Sequence, residues 1–279
     1  EAWESFGRPA AVLACPSCKL ILGRYLPDME CLFIYDLMLE AGLQPAAAGG
    51  GEAVSVFDPC ASRGEPVLQG AIRELARRAG FSLEPLPMEG RLAQCCSWGG
   101  QVSIAHPPYA RHMARARVEE SGNPYLAYCS NCRDTFARAR KPVRHILDIL
   151  FGLNGADRAP PTLSERRRNR LALKRLALEE FWGEGGGMNE AGTKLIIAAE
   201  LRKKLDAELI LEEDIEKVVE YCEASGRKVL DPETGSCSGH LKIGGMPFWA
   251  EYRPAGAGAP GGGFELVNAY GHRMSIEEG

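Results

Sequence analysis

The chain has 279 residues, 45% of them hydrophobic, and a formal net charge of -4. That is enough chain to bury one sizeable core and a smaller second one, and it lacks the strongly basic face expected of a nucleic-acid binder. The longest apolar run, around Leu32–Leu39, contains Tyr35 and Asp36 and is far short of the roughly 20 residues that cross a bilayer.

Charge is unevenly distributed. Residues 188–279 hold 16 acidic against 10 basic side chains, whereas residues 1–187 hold 21 against 23. The asymmetry predicts two domains. No basic-then-apolar signal peptide opens the sequence. The chain begins at Glu1, without a methionine and in what reads as mid-domain, so a preceding segment or a processing site is expected.

In chain order, the first recognisable element is the strand-like run Ala11–Ala14, ending on Cys15. Pro16, Ser17 and Cys18 then open a helix-like run to Tyr25. A second strand, Val54–Phe57, leads through Asp58 and Pro59 to Cys60. The helix that follows, Pro66 to Gly80, places Leu68, Ile72, Leu75 and Ala79 on one face, with proline at its start and glycine past its end. A third strand, Tyr125–Tyr128, ends on Cys129 and feeds a helix carrying Cys132, Phe136 and Arg140. Strands alternating with helices predict an α/β fold with a mostly parallel sheet. Ligands bind beyond the carboxyl ends of such strands, and the cysteines lie at those ends.

The sequence also echoes itself. Cys15-x-x-Cys18, Arg24 and Ile34–Leu37 parallel Cys129-x-x-Cys132, Arg138 and Ile146–Ile149. The echo predicts the tail of a first repeat over residues 1–50 and a complete second repeat over 51–156.

Residues 157–187 read as a connector: a loop from Asp157 to Pro161, a basic helix from Leu163 to Trp182, and a flexible joint at Gly185–Gly187. Met188 would then begin a small α+β domain, 188–279. Two helices, Gly192–Leu205 and Glu212–Ala224, precede an antiparallel meander of Lys228–Leu230, Gly239–Ile243, Phe248–Tyr252 and Phe264–Tyr270, interrupted by the glycine-rich stretch 255–263. The acids Glu212, Glu213 and Asp214 suit a helix start. Cys222 and Cys237 have no spacing partner and read as packing thiols. The acidic balance of this domain predicts docking to a basic surface, the 166–175 stretch among the candidates.

Half of the ten cysteines form the pattern C-x34-CC-x32-C-x2-C: Cys60, Cys95, Cys96, Cys129 and Cys132. Ten in 279 is well below the roughly 8–10% of small disulfide scaffolds, so reduced thiols in a cytoplasmic metal-binding protein are expected. Thiolates select zinc, copper(I) or iron–sulfur clusters. Adjacent extended cysteines point in opposite directions. They straddle a multi-iron object more readily than they close a tetrahedron around zinc, although zinc stays open. Gly99 and Gly100 would let backbone approach the bound group.

Asp58-Pro59-Cys60, the run Cys95 to Gly100 and Tyr128-Cys129-Ser130-Asn131-Cys132-Arg133-Asp134 resemble the cysteine-rich CCG domain of the heterodisulfide reductases and related iron–sulfur oxidoreductases. The resemblance covers roughly residues 1–182, with Ser97 where the family usually has glycine after the doublet. It implies that Cys60, Cys95, Cys96, Cys129 and Cys132 ligate one non-cubane [4Fe-4S] cluster, with zinc as the alternative. Cys15 and Cys18 would end a first motif completed by an upstream segment or a partner chain, or would hold zinc or act as a redox pair. It further implies an oxidoreductase subunit, served by flavin- and ferredoxin-type iron–sulfur subunits, that delivers electrons to a small-molecule disulfide. The alternative is a scaffold subunit with structural zinc or a degenerate site. Arg63, Arg133 and His106 are candidate anion contacts, and no residue is assigned as a general acid.

Overall fold

The computed structural model describes residues 2–46, 49–153, 159–183, 195–256 and 263–272. The expected joint at Gly185–Gly187, Met188 and most of the glycine-rich stretch (257–262) lie outside them. The chain divides into two compact units, Glu1–Pro160 and Pro161–Gly279.

The first unit opens with a single turn, α1 (Ala2–Ser5), then β1 (Ala11–Leu13), α2 (Pro16–Tyr25), β2 (Cys31–Phe33) and α3 (Ile34–Glu40). Strands β1 and β2 pair in parallel, Ala11 opposite Cys31. Next come β3 (Ala53–Phe57), α4 (Pro66–Arg78), β4 (Ser82–Leu83), α5 (Val102–Ala105), α6 (Pro107–Val118), β5 (Tyr125–Ala127), α7 (Ser130–Arg138), β6 (Val143–His145) and α8 (Ile146–Leu150). Their strands form one sheet in the order β4-β3-β5-β6, parallel throughout. The α/β architecture read from the sequence is therefore present.

Strands β3 and β5 are buried almost end to end, as parallel strands covered on both faces must be. Helix α4 packs Leu68, Ile72 and Leu75 at zero exposure against Val54, Val56 and Leu126. Each such side chain contributes about 1.5–3 kcal/mol by leaving water. Phe33 and Tyr35 join the same core, so the short β1–β2 unit is packed onto the larger sheet.

The order β4-β3-β5-β6 positions the site. From β3 the chain steps to one side to make β4, then returns past β3 to make β5. The gap between β3 and β5 is thus a topological switch point, where the carboxyl ends open a crevice. Cys60 follows β3 by three residues and Cys129 follows β5 by two.

The second unit contains α9 (Leu163–Trp182), β7 (Leu195–Ile197), α10 (Ala199–Ala207), α11 (Glu212–Ser225), β8 (Val229–Leu230), β9 (Cys237–Ile243), β10 (Met246–Pro254) and β11 (Phe264–Gly271). The sheet order is β7-β11-β10-β9-β8, antiparallel except for β7 beside β11. The meander matches the expectation. The predicted helix from Gly192 does not: Leu195–Ile197 is a strand, and helix begins only at Ala199. The β-branched pair Ile196 and Ile197 gains a ladder against Glu265 and Leu266, a long-range pairing that outweighs local helix preference.

Helix α9 starts on a capping box of Thr162 and Glu165. Its first turn is anchored within this unit: Ser164 Oγ accepts from Glu212 N at 2.9 Å, and Asp206 accepts from Leu163 N at 2.7 Å. The buried Glu212 receives Arg168 at 3.3 Å and Arg202 at 3.4 Å, so one arginine of the basic helix meets the acidic start of α11. Cys222 and Cys237 lie in the apolar core of this unit. Gly239 makes room for the first of them, since a Cβ there would stand 2.2 Å from Cys222 Sγ.

Candidate metal centre

All ten cysteines are free thiols. Five of them stand close enough in succession to shift one another's titration: Cys60 beside Cys95, Cys95 beside Cys96, Cys96 beside Cys132 and Cys132 beside Cys129. These are the five residues of the spacing pattern. They arrive from three places: the end of β3, the loop between β4 and β5, and the β5–α7 junction. Cys60 and Cys95 are partly exposed, whereas Cys96, Cys129 and Cys132 are buried over an aromatic floor. In that floor Phe136 meets Phe57 edge-on at 4.5 Å and Tyr125 at 5.4 Å.

The five thiols are shifted in opposite directions by one another. Hydrogen bonds from the side chains of Cys60 and Cys96, and then from the N–H groups of Ser97 and Gly99, hold Cys95 far below the ordinary thiol range. A hydrogen bond from Cys132 and backbone N–H groups bring Cys129 down to about 6. Cys60 is pushed up, chiefly by donating to Cys95 and by burial. For Cys96, the lowering contact with Cys132 is outweighed by the bond to Cys95 and by burial, leaving it up at about 12. Cys132, bonded to Cys129 and Cys96, is raised well above its usual value.

The thiols lie in succession rather than grouped about a point. Among the described residues, no three His, Cys, Asp or Glu side chains are arranged to hold a single ion. Ligation would replace S–H···S contacts with metal–thiolate bonds and release the intervening protons. The donor set, five thiols and no imidazole or carboxylate, is of the soft kind that suits iron–sulfur or thiolate–zinc chemistry.

The doublet loop is shaped by unusual backbone. Ser97 is buried at a φ of 82°, in the left-handed region that favours glycine. That turn aims its N–H at Cys95 Sγ, 3.4 Å away. The N–H groups of Trp98 and Gly99 lie near Cys96 and Cys95 and favour their thiolate forms. Gly100 and Gln101 are also left-handed. Glycine after the doublet would thus be the less strained residue, and Ser97 occupies its conformation at a cost of order 1–3 kcal/mol.

A buried network that spacing did not reveal braces the β3 end. Asp58, 2% exposed, accepts from Arg73 through both carboxylate oxygens, from Tyr128 Oη at 2.6 Å and from Gly90 N at 2.7 Å. Ser62 Oγ lies 2.8 Å from the Tyr128 hydroxyl, and Gln69 donates to Ser62 O. The network ties β3, α4 and β5 together around Cys60. The signal available in sequence was the Asp58-Pro59-Cys60 run, but nothing in it named Arg73 or Tyr128 as partners.

The three candidate anion contacts fare differently. Arg63 donates to Ala93 O at 2.6 Å and braces the loop before the doublet. Arg133 is fully buried and bonded to Asp134 at 2.9 Å. His106 is exposed and caps α6 by accepting from Tyr109 N. Cys15 and Cys18 hydrogen bond to each other, and Cys18 lies close enough to Cys129 to feel its charge.

No protein-family profile matches the chain. Over 122 residues, 42% of its length, it is 29% identical to the glycolate oxidase iron-sulfur subunit of Escherichia coli (strain K12), and the match spans 29% of that protein. The likeness supports a cysteine-rich iron–sulfur relationship for this chain. No helix among the described residues is long and apolar enough to cross a membrane.

Proposed function

We propose that the chain is an electron-transferring iron–sulfur subunit of a multi-subunit oxidoreductase, with one cluster held by Cys60, Cys95, Cys96, Cys129 and Cys132. The observation that carries this reading is the convergence of five neighbouring thiols at the switch point between β3 and β5. A bound [4Fe-4S] cluster would supply one-electron redox chemistry. The protein's own part is ligation, burial and orientation. Asp58, Arg73 and Tyr128 fix the strand ends, and the N–H groups of Ser97, Trp98 and Gly99 point at sulfur, which favours the anionic thiolate.

In its finer form the reading is heterodisulfide-reductase-like: two electrons, delivered singly, and two protons convert one small-molecule disulfide into two thiols. Electrons would arrive from flavin- or ferredoxin-type iron–sulfur partners in the cytoplasm. The likeness to a protein named as the iron-sulfur subunit of glycolate oxidase favours a second form, in which the cluster relays electrons within an oxidase complex.

Anaerobic purification with metal analysis tests the proposal. About four irons and four sulfides per chain are expected, together with loss of most iron in Cys96→Ser and Cys132→Ser. Zinc without iron, from cells competent in cluster assembly, would overturn it in favour of a scaffold subunit. EPR of the oxidised protein then separates the two forms, because a thiol-dependent signal is expected only where substrate sulfur reaches the cluster.

A further inference from the structure

A cleft of about 620 Å³ opens beside the doublet loop. Ser97 and Trp98 form one wall, and Arg111, Arg115, Arg138 and Arg140 line it from α6 and from the end of α7 and the residues just beyond. We propose that this cleft binds a small organic polyanion, such as a di- or tricarboxylate or an organic phosphate.

Two observations and two physical arguments support the assignment. No acidic side chain lines the cleft. The four arginines are exposed and, among the described residues, make no ion pair, whereas Arg117 on the same helix is paired with Glu120 at 2.9 Å. Four guanidinium groups gathered without counter-charge repel one another, and a bound anion relieves that repulsion. Their planar forks match carboxylate and phosphate oxygens.

The size falls in the roughly 300–1,000 Å³ range of small-molecule sites. Apolar lining from Ala110 and Ala114 gives the body of the ligand a place to rest, so an organic anion fits better than a bare inorganic ion. Nucleic acid is disfavoured, because residues 1–187 carry only two more basic than acidic side chains.

A purely structural account would make these arginines counter-charges for helix ends. It serves Arg115 and Arg138, which lie in the last turns of α6 and α7. It also serves Arg140, the left-handed residue that closes α7 at a φ of 62°, but it does not serve Arg111, in mid-helix.

The cleft and the thiol chain share Ser97, which lines the cleft and donates its N–H to Cys95. Anion binding needs no cluster, so it stands or falls apart from the proposed function. That a bound anion alters the cluster rests on that reading.

The test uses the full chain, purified anaerobically, with benzene-1,3,5-tricarboxylate as probe in calorimetry. Saturable binding at one site per chain is expected, with quenching of fluorescence that Trp98→Phe abolishes. The paired variant Arg111→Gln/Arg138→Gln should weaken binding at least tenfold while leaving iron content and thermal midpoint unchanged. Arg115→Lys/Arg140→Lys keeps the charge and should lose less. Absence of saturable binding, equal affinity in the Gln pair, or equal binding of the neutral tricarboxamide would overturn the proposal. A Gln pair with a lowered thermal midpoint and unchanged affinity would identify the arginines as helix-end counter-charges.

Discussion

Two C-x-x-C units in the first domain share nearly the same backbone and differ in what surrounds them. Cys15 caps α2 at φ -116°, ψ 120°, and Cys129 caps α7 at φ -131°, ψ 119°. Each is preceded by a short parallel strand and followed, after its helix, by a second strand that turns directly into another helix at Phe33 or His145. Yet Cys18 is exposed while Cys132 is buried between Cys96 and Cys129.

The difference lies one residue earlier and one loop away. Before Cys129 stands Tyr128, whose hydroxyl reaches Asp58 across the switch point. Before Cys15 stands Ala14, which offers only a backbone carbonyl, bonded by Tyr35 Oη at 3.1 Å. The doublet loop then supplies the remaining neighbours to the second unit alone. A C-x-x-C turn is thus a local motif that any strand–helix junction can make. A five-thiol site needs tertiary partners.

The largest effect that would sharpen this contrast is on metal content. Cys132→Ser should remove more than nine-tenths of the bound iron, whereas Cys18→Ser should leave it within error. Equal losses by metal analysis would break the distinction between the two units.

Next in size is the brace. Asp58→Ala removes the buried acceptor that Arg73 and Tyr128 share, leaving Arg73 to Glu89 and the Gln69 carbonyl and Tyr128 to Ser62, and loss of one partner of a buried pair costs up to about 3–5 kcal/mol. Chemical denaturation should show that loss, while Glu65→Ala, which removes only the partly exposed Lys19 partner near α2, should cost under about 1 kcal/mol.

A smaller effect concerns the doublet loop. Ser97→Gly relieves the left-handed backbone at φ 82°, and after glycine's entropic cost should stabilise the domain by about 1 kcal/mol. An unchanged or lowered thermal midpoint would show that the serine hydroxyl compensates.

The finest test is on protons. Cys95 and Cys129 are held low, while Cys60, Cys96 and Cys132 are raised. Loading the apo chain with a thiophilic ion at pH 8 should therefore release about three protons if all five thiols become ligands. Release of five, measured with a pH indicator in weak buffer, would mean that the alternation along the chain is absent.

Much of the architecture was legible from residue pattern. The apolar face of α4, the strands ending at Cys60 and Cys129, and the meander of the second unit all follow from periodicity and turn residues. Leu195–Ile197 was not legible, because its strand character comes from pairing with β11, some seventy residues away in sequence. The Asp58–Arg73–Tyr128 network was hidden for the same reason. Its members belong to three different elements, and each looks ordinary alone. The arginines of the cleft were equally silent, since Arg111 and Arg138 become neighbours only when α6 packs beside α7.

Sequence by itself determined the five-cysteine spacing and the strand ends that precede Cys60 and Cys129, because cysteine spacing and strand–helix alternation are local properties. Only the tertiary structure decided that Cys95 and Cys96 lie between Cys60 and Cys132, that Cys18 is exposed, and that Ser97 holds a glycine's conformation. Those outcomes depend on the order in which parallel strands lie in the sheet. That order is set by long-range burial and pairing, which no window along the chain contains.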